Sequence, residues 1–157
     1  MFKKVERSLK KAYIISLSVL IPFLLIQFIT VEKENPPVDN TLTLTAPPKV
    51  MSILKNSCYD CHSNETVWPF YSHVAPISWI VYRDVKFGRD DLNFSEWNKM
   101  EEKDKNHKRE EIIEEISRDT MPIPIYLIAH PSASLSANDK LLLKNWLTGR
   151  ETKKITR

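Results

Sequence analysis

The chain of 157 residues has room for one domain and a short tail. Its net charge is +3, but residues 1–31 hold five basic side chains and one acidic side chain, so the remainder carries one net negative charge. Because the remainder is nearly neutral, the basic pI of the whole chain gives no indication of nucleic-acid binding, and we expect no nucleic-acid partner.

Residues 1–30 are predicted to form a membrane anchor. The first eleven residues, MFKKVERSLKK, are strongly basic, and residues 12–29 carry no charge. A cleaved signal peptide and a retained span are the two alternatives; the residues that follow the apolar run offer no small-residue cleavage site, which favours a retained span. The basic flank before the span, with Glu32, Lys33 and Glu34 after it, predicts a cytoplasmic N-terminus. We therefore expect a protein of the bacterial inner membrane whose remaining chain is periplasmic.

Residues 31–46 mix charges, proline and threonine without a helical period, which predicts a linker between membrane and domain. The domain is expected over residues 47–150, followed by a polar C-terminal tail at 151–157. Pro47 and Pro48 are typical of a helix start, and this helix should run to about Asn56. The stretch PISWIVYRDVKFG predicts a second helix, with Gly88 as its stop.

Later residues predict further helices. Ser95 is a candidate N-cap for a third helix. Ser136 and Asp139 have the spacing of a capping box and begin a last helix that should end at Gly149. No strand pair is convincing, so the sequence predicts an all-α fold.

The only two cysteines of the chain, Cys58 and Cys61, stand two residues apart and are followed at once by His62. A disulfide here would close a very short loop and stabilise little. A thioredoxin-like pair requires a preceding strand, whereas Val50, Met51, Ile53 and Leu54 have helical spacing, and a zinc site lacks close ligands to complete it. The pattern C-x-x-C-H is typical of covalent haem attachment, in which two thiols form thioethers and the adjacent imidazole binds iron.

These residues also carry a resemblance. The stretch from NSCYDCHSNETVWPFYSH through NFSEW to MPIPIYLIAHPSAS, within about residues 45–148, resembles the bacterial haem-binding domain family of small exported proteins related to c-type cytochromes. The resemblance implies a small cytochrome c-like helical domain wrapped around one covalently bound haem c.

A second iron ligand would come from the other side of the haem. Met121 opens the proline-rich stretch MPIPIY, whose Pro122 and Pro124 predict a stiff loop, and small monohaem cytochromes present a distal methionine in a similar way. His130, in AHPSAS, is the runner-up distal ligand.

The leading hypothesis is a membrane-anchored periplasmic monohaem c-type cytochrome that transfers single electrons between redox partner proteins. The alternatives are a haem-based sensor or peroxidase-like module with an open or displaceable distal site, and a haem-free adaptor that uses the two thiols for disulfide exchange. No acid/base pair or nucleophile motif requires substrate catalysis, so an electron carrier is favoured over a catalyst.

Overall fold

The computed structural model describes residues 2–150 and is helical, with no strand in that range. The all-α prediction is therefore confirmed; the predicted tail at 151–157 lies outside the described residues. The α-helices are α1 (Phe2–Ile26), α2 (Pro48–Ser57), α3 (Tyr59–His62), α4 (Ile77–Asp91), α5 (Glu102–Ser117), α6 (Pro124–Ala129) and α7 (Ala137–Leu147). Three 3-10 helices lie at Phe70–His73, Phe94–Lys99 and Pro131–Ala133.

The described chain divides into two compact units. The first unit comprises residues 2–34 and 68–84, and the second comprises residues 35–67 and 85–150. Within the first unit, Val5–Ile26 of α1 is long and apolar enough to cross a membrane, and none of it is buried. At 1.5 Å of rise per residue, these 22 residues span about 33 Å.

The second unit is built around one hydrophobic core. Helix α2 packs against α7, and α5 packs against α7 as well. Tyr59 stacks on Phe94 with ring centroids 5.6 Å apart, and Phe94 in turn contacts Trp97. The buried members of this core are Leu44, Val50, Leu54, Tyr59, Leu92, Phe94, Trp97, Ile116 and Leu143.

The predicted boundaries of α2 and α7 agree with the structure. Helix α2 begins at Pro48, where the missing amide hydrogen costs no helical bond. Ser136 caps α7: its Oγ accepts from the Asp139 amide at 3.1 Å, and the Asp139 carboxylate accepts from the Ser136 amide at 3.0 Å. This is the capping box that the spacing predicted. Gly149, with φ of +67°, follows the last turn.

Two predicted boundaries are wrong. Helix α4 does not stop at Gly88 but continues to Asp91. The glycine is required by packing instead, because a Cβ at this position would lie 2.5 Å from the carbonyl oxygen of Cys61. Ser95 is not an N-cap; Asn93 caps the 3-10 helix at Phe94–Lys99 by accepting from the Ser95 amide at 3.0 Å.

Residues 31–46, the predicted linker, contain no helix. Within the second unit, Leu44 is buried in the core and its amide donates to the Phe94 carbonyl at 2.8 Å. The Asn98 amide donates to the Leu42 carbonyl at 2.8 Å. This extended stretch is thereby held against the 3-10 helix at Phe94–Lys99.

Because of the contact between Gly88 and Cys61, we expect Gly88→Ala to destabilise the protein, which is the opposite of its usual effect in a helix. In an exposed helix, Gly→Ala stabilises by about 1 kcal/mol because alanine loses less backbone entropy. Gly88→Ala should instead lower the free energy of unfolding by about 1–3 kcal/mol, since the added methyl group overlaps a backbone carbonyl. Chemical denaturation of the full chain in detergent, followed by circular dichroism, measures this.

The matched control is Gly149→Asn, because asparagine tolerates the left-handed conformation and no atom lies within 4 Å of a Cβ there. This variant should change the free energy of unfolding by less than about 0.5 kcal/mol. A Gly88→Ala chain as stable as the parent, or more stable, would contradict the packing argument.

Candidate functional site

The segment Cys58 to His62 forms a single helical turn. Helix α2 ends at Ser57, Cys58 precedes α3, and the His62 amide donates to the Cys58 carbonyl at 2.9 Å. Residues three and four apart lie on the same face of such a turn. The turn therefore presents Cys58, Cys61 and His62 on one side, which is the physical basis of their spacing.

The His62 ring is oriented by the C-terminal part of α4. Its Nδ1 lies 2.9 Å from the Gly88 carbonyl oxygen and 3.1 Å from the Leu92 carbonyl oxygen. Both partners only accept, so Nδ1 carries the proton and Nε2 keeps its lone pair. Burial lowers the pKa of His62, although the two carbonyl bonds oppose the shift, and the imidazole is therefore held neutral.

His62 and Cys58 line a cleft of about 600 Å³, a volume that includes its open mouth. The apolar part of the wall consists of Leu92, Phe94, Ile112, Ile116, Met121, Pro122 and Leu135. Charged side chains also line it, namely Asp91, Lys108, Glu111 and Glu115. Lys108 bridges two of them, with Nζ 2.9 Å from Asp91 and 2.7 Å from Glu111. The carboxylates raise the pKa of Lys108 against the opposing effect of desolvation, so its charge is retained.

Met121 reaches this cleft from the loop between α5 and α6. The Thr120 amide donates to the Glu115 carbonyl at 3.1 Å, which turns the chain back after α5, and Asp119 adopts a positive φ of 58°. Pro124 then begins α6. The loop is irregular as predicted, and Met121 remains 37% exposed.

His130 takes a different position. It follows α6, and its ring stacks on Tyr126 with centroids 4.3 Å apart and planes 10° from parallel. The Tyr126 hydroxyl donates to the Asp60 carboxylate at 2.7 Å, which joins α6 to the residue between Tyr59 and Cys61. His130 is not among the residues that line the cleft with His62 and Met121.

Of the five predicted site residues, the structure thus gathers Cys58, His62 and Met121 at one cleft. Cys61 is on the same helical turn, with its backbone against Gly88. Sequence reasoning missed the Gly88 and Leu92 carbonyls and the bond from Tyr126 to Asp60, because each joins residues 26 or more positions apart.

Arg89 braces the chain that follows His62. Its Nε donates to the Ser63 carbonyl at 2.7 Å, and one terminal nitrogen donates to Thr66 Oγ1 at 2.7 Å and to Asn35 Oδ1 at 2.6 Å. Since Gly88 and Arg89 are adjacent on α4, the same turn of this helix contacts both Cys61 and the segment after His62.

The two cysteines are thiols and form no disulfide with each other. Burial, with a smaller contribution from Cys61, raises the pKa of the Cys58 thiol to about 12. Thiol exchange requires a thiolate and is typical of cysteines whose pKa is lowered. The surroundings of Cys58 therefore do not favour a disulfide-exchange adaptor.

The chain matches a known protein family. The family model of a haem-binding domain matches residues 21–149. The match begins within α1 and ends one residue before the end of the described chain. No curated protein and no solved structure matches the chain.

The raised pKa of Cys58 predicts that its thiol reacts slowly with alkylating agents in the haem-free protein. The measurement uses the Cys61→Ser variant, so that Cys58 is the one remaining thiol. Iodoacetamide at pH 8 should modify Cys58 in the folded chain at a rate at least about a hundredfold below that in the urea-unfolded chain. The reason is that a pKa of about 12 leaves very little thiolate. The rate for the folded chain should keep rising with pH above 10, whereas that for the unfolded chain levels off near its ordinary pKa. Equal rates at pH 8 would contradict the argument.

Proposed function

Because the chain belongs to the haem-binding domain family and haem is therefore its cofactor, we propose that it is a membrane-anchored periplasmic monohaem c-type cytochrome that transfers single electrons. The observation that carries the proposal is the state of His62. Its imidazole is neutral, its Nδ1 donates to two carbonyl oxygens, and its Nε2 is available to bind a metal in a cleft that Cys58 and Met121 also line. Metal-binding histidines in proteins are commonly fixed in this way by a carbonyl on the other ring nitrogen.

The residues of the cleft fit a haem. The apolar wall of the cleft, with Phe94, Ile112 and Leu135, would exclude water from a porphyrin face, and its charged side chains would leave polar surface for the propionates.

Covalent attachment follows from the two thiols. Cys58 and Cys61 lie on one turn with His62, so thioether bonds from their sulfurs to the two vinyl groups would fix the haem above the imidazole. We therefore propose haem c, with His62 as the proximal ligand.

When bound, the haem supplies an iron that accepts and releases one electron. Every other contribution comes from the chain: His62 donates a lone pair, the apolar wall excludes water, and Met121 offers a thioether sulfur as the distal ligand. A methionine ligand raises the reduction potential relative to a second histidine. His130 is less favoured than Met121 because its ring stacks on Tyr126 and does not line the cleft.

The proposed location follows from α1. Five basic side chains precede its apolar run, which favours a cytoplasmic N-terminus and leaves the haem domain in the periplasm. Its partners there would be other redox proteins, and the nearly neutral exported part offers no basis for a nucleic-acid partner.

One observation favours a second candidate function. The Met121 side chain is 37% exposed and lies on a loop, so it could be displaced from iron by a small ligand. A haem-based sensor or peroxidase-like module would use such a displaceable distal site.

A comparison of two variants separates these functions. The native ferric protein should show the far-red absorption of methionine-to-iron charge transfer, and the ferrous protein should fail to bind carbon monoxide. Met121→Ala should abolish that band, lower the reduction potential and allow carbon monoxide binding, because it removes the sulfur that would bind the iron. Absorption spectra and a redox titration measure these changes.

The control is His130→Ala, which should keep the band and the potential. If His130→Ala abolished the band or Met121→Ala left it in place, the assignment of Met121 would be wrong. A native protein that is high-spin and binds carbon monoxide rapidly would favour the sensor instead.

A further inference from the structure

The first unit carries an uncharged, aromatic segment with apolar side chains on its surface. Residues 68–80, WPFYSHVAPISWI, contain no Asp, Glu, Lys or Arg, in a chain whose charged fraction is 27%. We name these residues the interfacial segment. Phe70 is 85% exposed, Ile77 is 46% exposed, and Phe28, just after α1, is 84% exposed. The Phe70 ring contacts the Tyr71 ring edge-on at 5.6 Å, but this contact leaves Phe70 largely exposed.

Hydrogen bonds fix the interfacial segment to the end of α1. The Gln27 side chain bonds Ala75 in both directions, donating to its carbonyl at 3.0 Å and accepting from its amide at 2.9 Å. The Trp79 indole donates to the Ile29 carbonyl at 2.9 Å. A glutamine that satisfies both backbone groups of one residue sets the register of the two segments.

A third tie lies farther along the chain. Lys33 Nζ donates to the Ser72 carbonyl at 2.9 Å and lies 2.8 Å from His73 Nδ1. The interfacial segment is thereby attached at three levels over residues 27–33, and its position along the axis of α1 is determined.

That position corresponds to the membrane surface. If the uncharged run of α1 crosses the bilayer, Gln27 lies near the C-terminal end of this run, before Glu32, Lys33 and Glu34, and marks the start of the headgroup region. The interfacial segment, bonded to Gln27 and Ile29, then lies at the same depth. Trp and Tyr are enriched at this depth, where an apolar ring and a polar tip can both be accommodated, and the segment contains Trp68, Tyr71 and Trp79.

We propose that the interfacial segment inserts into the outer headgroup region of the bilayer that α1 spans, with Phe70 as its main lipid contact. This inference rests on the membrane-anchored location proposed above. The exposed Phe28 continues the apolar surface of α1 toward the interfacial segment, and the lack of charge in this segment suits lipid better than water. The protein then has two membrane contacts, a span and a surface segment.

Photo-crosslinking tests this in the full haem-loaded chain. A benzophenone amino acid replaces Phe70 in protein reconstituted into vesicles of phosphatidylethanolamine and phosphatidylglycerol, and lipid adducts are measured by mass spectrometry after irradiation. Leu20, within the span, is the positive control; Leu141, on α7 and 54% exposed, is a matched apolar control outside the first unit. Position 70 should give an adduct yield similar to position 20 and severalfold above position 141.

Gln27→Ala provides the second arm, because it removes both bonds to Ala75. It should lower the adduct yield at position 70 severalfold and leave that at position 20 unchanged. An unchanged yield at position 70 would overturn the role of Gln27 in setting the depth.

The outcomes separate this inference from the proposed location. Lipid adducts at position 20 but not at position 70 would overturn the inference and leave the anchor intact. Adducts at neither position would overturn both. Crosslinks from position 70 to a second protein chain instead of lipid would show that the surface is a protein contact, which also overturns the inference.

Discussion

The close approach of α4 to the turn Cys58 to His62 is the constraint on which the site depends. At Gly88 the helix lies against the Cys61 backbone, and the Gly88 carbonyl reaches His62 Nδ1 at 2.9 Å. A side chain at this position would separate the two elements and remove the bond. Leu92, the first residue after α4, adds a second carbonyl, so that the end of this helix both determines the tautomer of His62 and aims its Nε2. Hydrogen bonds of this kind also make a ligating imidazole a stronger donor to the metal.

The cleft around His62 combines an apolar wall with a charged edge, and the two parts have different consequences. Phe94, Ile112 and Leu135 lower the local dielectric, which increases the effect of every nearby charge on a bound iron. Lys108, held between Asp91 and Glu111, is one such charge. Met121 lies where this wall opens to solvent, and its partial exposure is the feature that decides between an electron carrier and a sensor. The proposed carrier requires that the loop after α5 keep this sulfur in place.

Local signals in the sequence were sufficient for part of the fold. Pro48 and the pair Ser136 and Asp139 act within one helical turn, so the starts of α2 and α7 could be predicted. The motif at Cys58 to His62 was likewise local. Gly88 was misread as a helix stop because its role depends on Cys61, 27 residues earlier, and no local pattern encodes that contact. The hydrogen bond from Tyr126 to Asp60 joins residues 66 positions apart and could not be predicted for the same reason. The covalent state of the cysteines and the identity of the distal ligand stay predictions.

We propose a haem bonded to Cys58 and Cys61, on the turn whose His62 is oriented by α4. Mass spectrometry of a tryptic digest of the mature protein tests this proposal most directly, because cleavage after Lys55 and Arg83 leaves both cysteines in one peptide. This peptide should carry the added mass of one haem, retained under denaturing conditions, and neither thiol should react with an alkylating agent. A peptide of unmodified mass, with both thiols open to alkylation or joined as a disulfide, would contradict the proposal.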